Sequence, residues 1–282
     1  MVIAVSLGCA QPEEAQRPPN ILVISIDALR ADHLGSAGYD RATSPVLDRL
    51  AARGTRFSQA FVNTHGTPPS HATLLSSRYQ ETHRVGIADG RSADASLVVP
   101  ANLPFIQEIL RTAGWHAVAV TGSGYMAPDF GFDRGFDVFR SQAGRVTRGA
   151  KILVEELAAA AGRSQPVFAL FHTYEVHSPY NPPPRFKKLF GGYEHTVEST
   201  SESLLAIQTT ASEVLTPGDF DFLESQYDGE IRYTDQVLGR MLKSLAEIGF
   251  LDHAVVIVTS DHGEEFGEHG GVLHGGTLYD EI

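Results

Sequence analysis

The sequence predicts an α/β domain: a mostly parallel central sheet with helices on both faces. Two observations carry the prediction. Four continuous apolar runs, at residues 21–26, 117–120, 167–171 and 254–259, read as strands buried on both sides. Between them lie stretches whose apolar residues recur at helical spacing, and strands alternating with helices build a parallel sheet covered on both faces. A chain of 282 residues, 42% hydrophobic and 20% charged, can bury a sizeable core; it is neither disordered nor collagen-like.

The elements follow in order. The run Ile21-Leu22-Val23-Ile24-Ser25-Ile26 opens the domain after Asn20. Residues 43–53 read as a helix with Ser44 as N-cap and Pro45 in its first turn. In 64–78, Pro68 and Pro69 fix an extended entry, which places Ser70 to cap a helix beginning near His71. A helix over 103–113 stops at Gly114, and another over 149–161 stops at Gly162. Residues 180–192, with the Ser/Thr-rich stretch after them, read as a long surface insertion near a site. The longest helix is expected over 219–248, from the spacing of Leu223, Tyr227, Ile231, Val237, Leu238, Met241, Leu242 and Leu245; it ends at Gly249. No internal repeat is visible.

Acidic residues outnumber basic ones 34 to 22, a formal net charge of −12. That balance disfavours nucleic acid, a polyanion, and suits divalent cations, whose hard ligands are carboxylates. No apolar run approaches the roughly 18 residues that span a membrane, so no transmembrane helix is expected. The single cysteine, Cys9, excludes an internal disulfide and a cysteine-rich zinc site. Cys9 follows a short apolar stretch and precedes a polar, Pro-rich run, an arrangement similar to the end of a bacterial lipoprotein signal. Residues 1–19 are therefore expected to be a signal-like segment and linker. A lipid anchor at Cys9 and an exported, periplasmic or cell-envelope location follow from that expectation.

In parallel sheets, ligands bind beyond the carboxyl ends of the strands. The residues there are Asp27, Thr121-Gly122, His172 and Asp261-His262. Asp27 closes an apolar strand, where a carboxylate is costly unless paired or coordinated. Asp261 and His262 sit in a turn with Gly263, where both can face one ion; carboxylate oxygen with imidazole nitrogen suits a divalent first-row metal. A hydroxyl just before a helix N-terminus sits where backbone N–H groups favour an anion. By spacing alone, Thr67 and Ser70 are both candidates for a nucleophile, and Ser70 fits capping better.

Several ordered motifs resemble the sulfatase family of the alkaline-phosphatase superfamily, over essentially residues 20–282. Residues 20–38, with Ile26-Asp27-Ala28-Leu29-Arg30-Ala31-Asp32-His33, are similar to that family's first strand and loop. Residues 43–57 resemble its first helix and the strand start after it. Thr67-x-Pro69-Ser70-His71-x-x-Leu74-x-Ser-Ser-Arg78 resembles the signature C/S-x-P-S-R-x-x-L-x-T-G-R. Residues 172–184, 227–238 and Asp261-His262-Gly263-Glu264 also match. The resemblance implies an alkaline-phosphatase-like fold and a catalytic domain over 20–282. It also implies that a further strand and a smaller C-terminal subdomain are missing after Ile282.

Carried over residue by residue, the resemblance makes Asp27, Asp261 and His262 metal ligands and Thr67 both nucleophile and fourth ligand. His177 and His274 become catalytic groups at the anionic substrate or its leaving group, and Arg78 and His71 substrate contacts. His172 and Glu175 are read as structural support, and Arg30, Asp32 and His33 likewise; the role of His269 stays open. The implied cofactor is one divalent ion. Family resemblance gives calcium, whereas the Asp, Thr, Asp, His set also suits manganese or zinc.

The departures from the family pattern carry weight. Thr67 stands where sulfatases have a cysteine or serine converted to formylglycine, and a secondary alcohol oxidises to a ketone, not an aldehyde. His71 replaces the arginine after Pro-Ser, Ala28 removes one acidic ligand, and no lysine follows the strand before Gly122-Ser123. The expected activity is metal-dependent hydrolysis of a small anionic sulfate, phosphate or phosphonate ester by in-line attack of Thr67. Two alternatives stand beside it: a phosphoethanolamine- or glycerolphosphate-type transferase with the same threonine, and a catalytically inactive binding protein.

Overall fold

The computed structural model describes residues 18–282 except Asp89, Arg91 and Ala143. Cys9 and the expected lipoprotein-like signal lie outside the described residues. Five strands form the central sheet: β1 (Asn20–Ile26), β2 (His116–Thr121), β3 (Val138–Ser141), β4 (Val167–Thr173) and β5 (Ala254–Thr259). Their order is β3-β2-β4-β1-β5, and every pair is parallel. A two-residue antiparallel ribbon, β6 (Glu265–Phe266) and β7 (Val272–Leu273), follows β5.

Because alternate strand residues point to opposite faces, the apolar runs feed two cores. On one face Leu22, Ile24, Ile26, Val118, Val120, Ala169 and Phe171 pack against α1 (Pro45–Arg53), α4 (Val146–Ala160) and α5 (Pro217–Glu247). On the other, Val23, Ala117, Ala119, Phe168 and Leu170 meet Ala72 and Leu75 of α2 (Thr67–Ser76), together with Phe105, Trp115 and Phe132 around α3 (Ile106–Thr112). The predicted fold class and the four strands hold. Among the described residues no helix is long and apolar enough to cross a membrane.

Three local expectations change. The run at 254–259 is not buried on both sides: β5 is the sheet edge, and Val255 and Ile257 are 46% and 43% exposed. Ser70 does not cap α2. The helix starts earlier, at Thr67 after Gly66, because Pro68 and Pro69 occupy first-turn positions whose N–H groups would have had no helical partner. Ser70 instead donates to the Thr64 carbonyl at 3.0 Å. Ser44 precedes α1 as expected, but the capping acceptor is Asp235 of α5, whose carboxylate takes the N–H groups of Val46 and Leu47 at 2.9 Å each. The long helix starts two residues earlier than expected, where Thr216 and Asp219 form a reciprocal cap. The 180–192 insertion is anchored, since Phe186 is buried against Tyr233 of α5.

Candidate active site

The neighbouring strands β4, β1 and β5 end side by side, and their last residues define the site. Asp27 follows β1 and donates its N–H to the Thr173 carbonyl of β4 at 3.0 Å. The next residue, Ala28, has φ +58, a left-handed backbone that costs a non-glycine residue roughly 1–2 kcal/mol. Bonds on both sides hold it there: its N–H donates to Asp261 Oδ1 at 3.2 Å, and its carbonyl accepts the Tyr227 hydroxyl at 2.7 Å. Asp261 Oδ1 also accepts the His262 N–H at 3.1 Å, which leaves Oδ2 free. His262 Nδ1 lies 2.9 Å from the Gly263 carbonyl, which can only accept, so Nδ1 carries the proton and Nε2 keeps its lone pair. Gly263 allows this turn to run against the chain: a Cβ there would collide with the Glu281 carbonyl oxygen.

Asp27, Asp261 and His262 are buried, and their ligand atoms lie within 4.8 Å of one another. Asp27 Oδ1, Asp261 Oδ2 and His262 Nε2 all lack a hydrogen-bond partner. His262 Nε2 is 3.6 Å from each of those two oxygens. From the opposite side the Thr67 hydroxyl, at the first position of α2, donates to Asp27 Oδ2 at 3.2 Å. Three orphaned acceptors converging in a buried space fit a cation, which would satisfy them together. Burial and the Asp261 charge push the Asp27 carboxyl well above its ordinary range. Two oxygens, one imidazole nitrogen and a hydroxyl form a mixed donor set suited to a first-row divalent ion.

Two further histidines brace this group. His71 is fully buried; its Nδ1 donates to the Thr67 carbonyl at 2.9 Å, and its Nε2 accepts from Ser25 Oγ at 2.9 Å. The expected substrate contact by His71 is therefore corrected: the ring lies behind the Thr67 backbone, with both nitrogens engaged. His172 accepts the Gly122 N–H on Nδ1 at 3.3 Å and presents Nε2–H to Asp27 Oδ2 at 3.2 Å. It thereby bonds the carboxylate oxygen that also accepts from Thr67. Burial lowers both imidazoles to about 4, so both are neutral. Glu175 is likewise structural, accepting from Arg145 and from the N–H of Val146 at the start of α4.

His177 and His274 stand at the rim, half-buried, with ring centroids 4.9 Å apart; His274 lies 4.0 Å from His262. His177 Nδ1 is 2.6 Å from the Ser178 carbonyl, and burial keeps its pKa below the ordinary value. Burial also opposes charge on His274, but Glu264 at 2.7 Å outweighs it and the pKa rises. Arg78 is not brought to the site. It is exposed, beyond the last turn of α2, and at 1.5 Å per residue roughly 15 Å of helix separates it from Thr67. Arg30 pairs with Asp32 and Glu268 at 2.7 and 2.5 Å, a support beneath the 264–268 turn. The sequence reading did not single out Ser25, Glu264 or Tyr174. Glu264 was flagged only by its place in the Asp-His-Gly-Glu run; Tyr174, two residues past His172, carried no local signal.

The family model described as Sulfatase matches residues 19–281. Arylsulfatase A of Homo sapiens is 24% identical over 285 residues, covering 94% of this chain and 55% of its own length. Arylsulfatase A of Bos taurus is 33% identical over 143 residues, 48% of this chain and 27% of its own. The phosphonate monoester hydrolase of Agrobacterium radiobacter superposes with a TM-score of 0.70 at 21% identity, covering 94% of this chain and 66% of that one. A 2-O GAG sulfatase gives 0.70 at 19%, covering 94% and 62%. At these identities the structural likeness is one of fold. The chain spans 55% or less of these two curated relatives.

Proposed function

Because the chain belongs to the sulfatase family, we propose that it is a metal-dependent hydrolase of a singly charged tetrahedral ester, attacked in line by Thr67. The observation that carries this reading is the convergence of Asp27 Oδ1, Asp261 Oδ2 and His262 Nε2, all unpaired, beside the Thr67 hydroxyl. A divalent cation in such a site lowers the pKa of a neighbouring hydroxyl and polarises an ester oxygen. The chain's own residues supply the rest. Asp27 Oδ2, already accepting from Thr67, is the nearest acceptor for its proton as Oγ1 bonds to the ester centre. The bond to the leaving oxygen breaks, and His274, whose pKa Glu264 raises, is placed to donate a proton to it. Water then attacks the adduct at its phosphorus or sulfur, releasing the acid and regenerating Thr67.

Two features favour a phosphonate ester or phosphodiester over a sulfate ester or a phosphate monoester. Threonine cannot follow the formylglycine route, so its adduct must be cleaved at the central atom, which phosphorus permits more readily than sulfur. Among the described residues no lysine or arginine bonds Asp27, Thr67, Asp261 or His262. Two carboxylates against one divalent ion leave a centre of near-zero charge, which suits one negative charge better than two. The family's sulfatase name keeps sulfate esters in the test. Turnover of an aryl sulfate, a phosphate monoester, a phosphodiester and a phosphonate monoester is measured on the metal-reconstituted protein and on Thr67→Ala. Activity on the singly charged phosphorus esters, lost in Thr67→Ala without loss of folding, is expected. A fully active Thr67→Ala protein sinks the reading.

A further inference from the structure

One hydroxyl beside the centre has no partner. Tyr174 leaves the end of β4 half-buried, but its phenolic oxygen is shielded from solvent and makes no hydrogen bond. A buried donor left unpaired is unfavourable, and a ligand oxygen arriving at the site would relieve it. The ring is clamped. It stands edge-on to His172, centroids 4.5 Å apart at 88°, and to His177 at 5.8 Å and 86°. The loop after β2 closes the other side: a Cβ on Gly122 would lie 2.7 Å from Tyr174 Cδ2, and one on Gly124 would lie 3.4 Å from the hydroxyl. The hydroxyl lies beside Thr67 and the Tyr125 backbone, within electrostatic reach of Asp27 and Asp261, and meets no well-formed hydrogen bond.

Given the centre proposed above, we infer that Tyr174 is a further catalytic residue, whose O–H donates to a non-bridging oxygen of the ester as that group becomes joined to Thr67 Oγ1. A donor beside the nucleophile with no well-formed hydrogen bond of its own is placed for an oxygen of the group joined to it. The aromatic clamp and the two glycines fix its direction before substrate arrives, which is the condition for strong stabilisation of developing charge. The donor is neutral. It stands beside the Gly122-Ser123 loop, where the family pattern would have brought a lysine, and it adds direction without adding charge.

The test uses orthovanadate, a tetrahedral oxyanion that needs no knowledge of the natural substrate, titrated into the manganese-loaded protein by calorimetry. Bound manganese and melting temperature are recorded for each variant. Tyr174→Phe is expected to weaken vanadate binding about tenfold, and to slow turnover of any accepted ester about 10- to 100-fold, with metal content and melting temperature unchanged. Thr67→Ala is expected to weaken vanadate at least as much. Wild-type affinity in Tyr174→Phe, beside a weakened Thr67→Ala, overturns the role of Tyr174 and leaves the centre standing. Undiminished binding in Thr67→Ala, or none in the wild type at millimolar vanadate, overturns the centre and Tyr174 with it.

Discussion

Replacing Glu230 by glutamine should stabilise the protein in a pH-dependent way. Glu230 lies on α5, buried. Its Oε1 accepts the Asn181 N–H at 2.8 Å, Arg145 stands 3.7 Å away, and its Oε2 has no partner. Burial and the neighbouring Glu175 charge push its pKa from 4.5 to about 8. Between those two values the native protein holds a proton that the unfolded chain has released. Stability therefore falls as pH rises, by about 1.4 kcal/mol per unit across the window. By pH 7 the accumulated loss is about 3 kcal/mol, and it levels off once the pH passes 8. Glutamine keeps the acceptor for Asn181 and has no proton to lose. Urea unfolding of both proteins at pH 5, 6, 7 and 8 measures the difference, in which titrating groups that do not interact with Glu230 cancel. The difference should be small near pH 5 and grow to about 3 kcal/mol at pH 7. A difference that stays constant with pH, or a variant that is less stable at pH 8, refutes the assignment. The site has a stake in this pair, because Glu175 and Asn181 bracket the segment that carries His177 and lie just beyond Tyr174.

Chelation should lower the melting temperature, since it returns two buried carboxylates to mutual repulsion; a cation at a hundred times its dissociation constant restores about 2.7 kcal/mol. Manganese or zinc should restore more than calcium, given the imidazole donor, and equal rescue by calcium would count against the mixed set. Gly122→Ala should cost about 1–3 kcal/mol and reduce vanadate affinity, because its methyl would meet the Tyr174 ring at 2.7 Å; urea unfolding and calorimetry report the two effects. Arg78→Ala should leave turnover and metal content unchanged and alter stability by less than about 0.5 kcal/mol, as for other exposed residues; a large loss of turnover would return Arg78 to the site.

Apolar runs and the residues that end them were enough to read the fold class, the four main strands and the positions of Asp27, Asp261 and His262. The reason is local: a carboxylate closing a buried strand has no cheap alternative to coordination or pairing. Around Thr67 the local reading was insufficient: the prolines left Thr67 and Ser70 both open and favoured Ser70 as a cap, which the earlier helix start overturned, and only the family resemblance pointed to Thr67. Long-range packing decided the rest. β5 became an edge because strand order, not strand composition, determines which strands have two neighbours. His71 turned inward because its two nitrogens found Ser25 and the Thr67 carbonyl, 46 and 4 residues away in sequence. Arg78 was carried away by the rise of α2, which a motif spacing does not show. Tyr174 gained its place only when Gly122 and Gly124 closed against it from another strand end, a contact between segments some 50 residues apart. Residue types at strand ends thus marked which chemistry is available, and the assembled sheet alone determined which of those groups face one another.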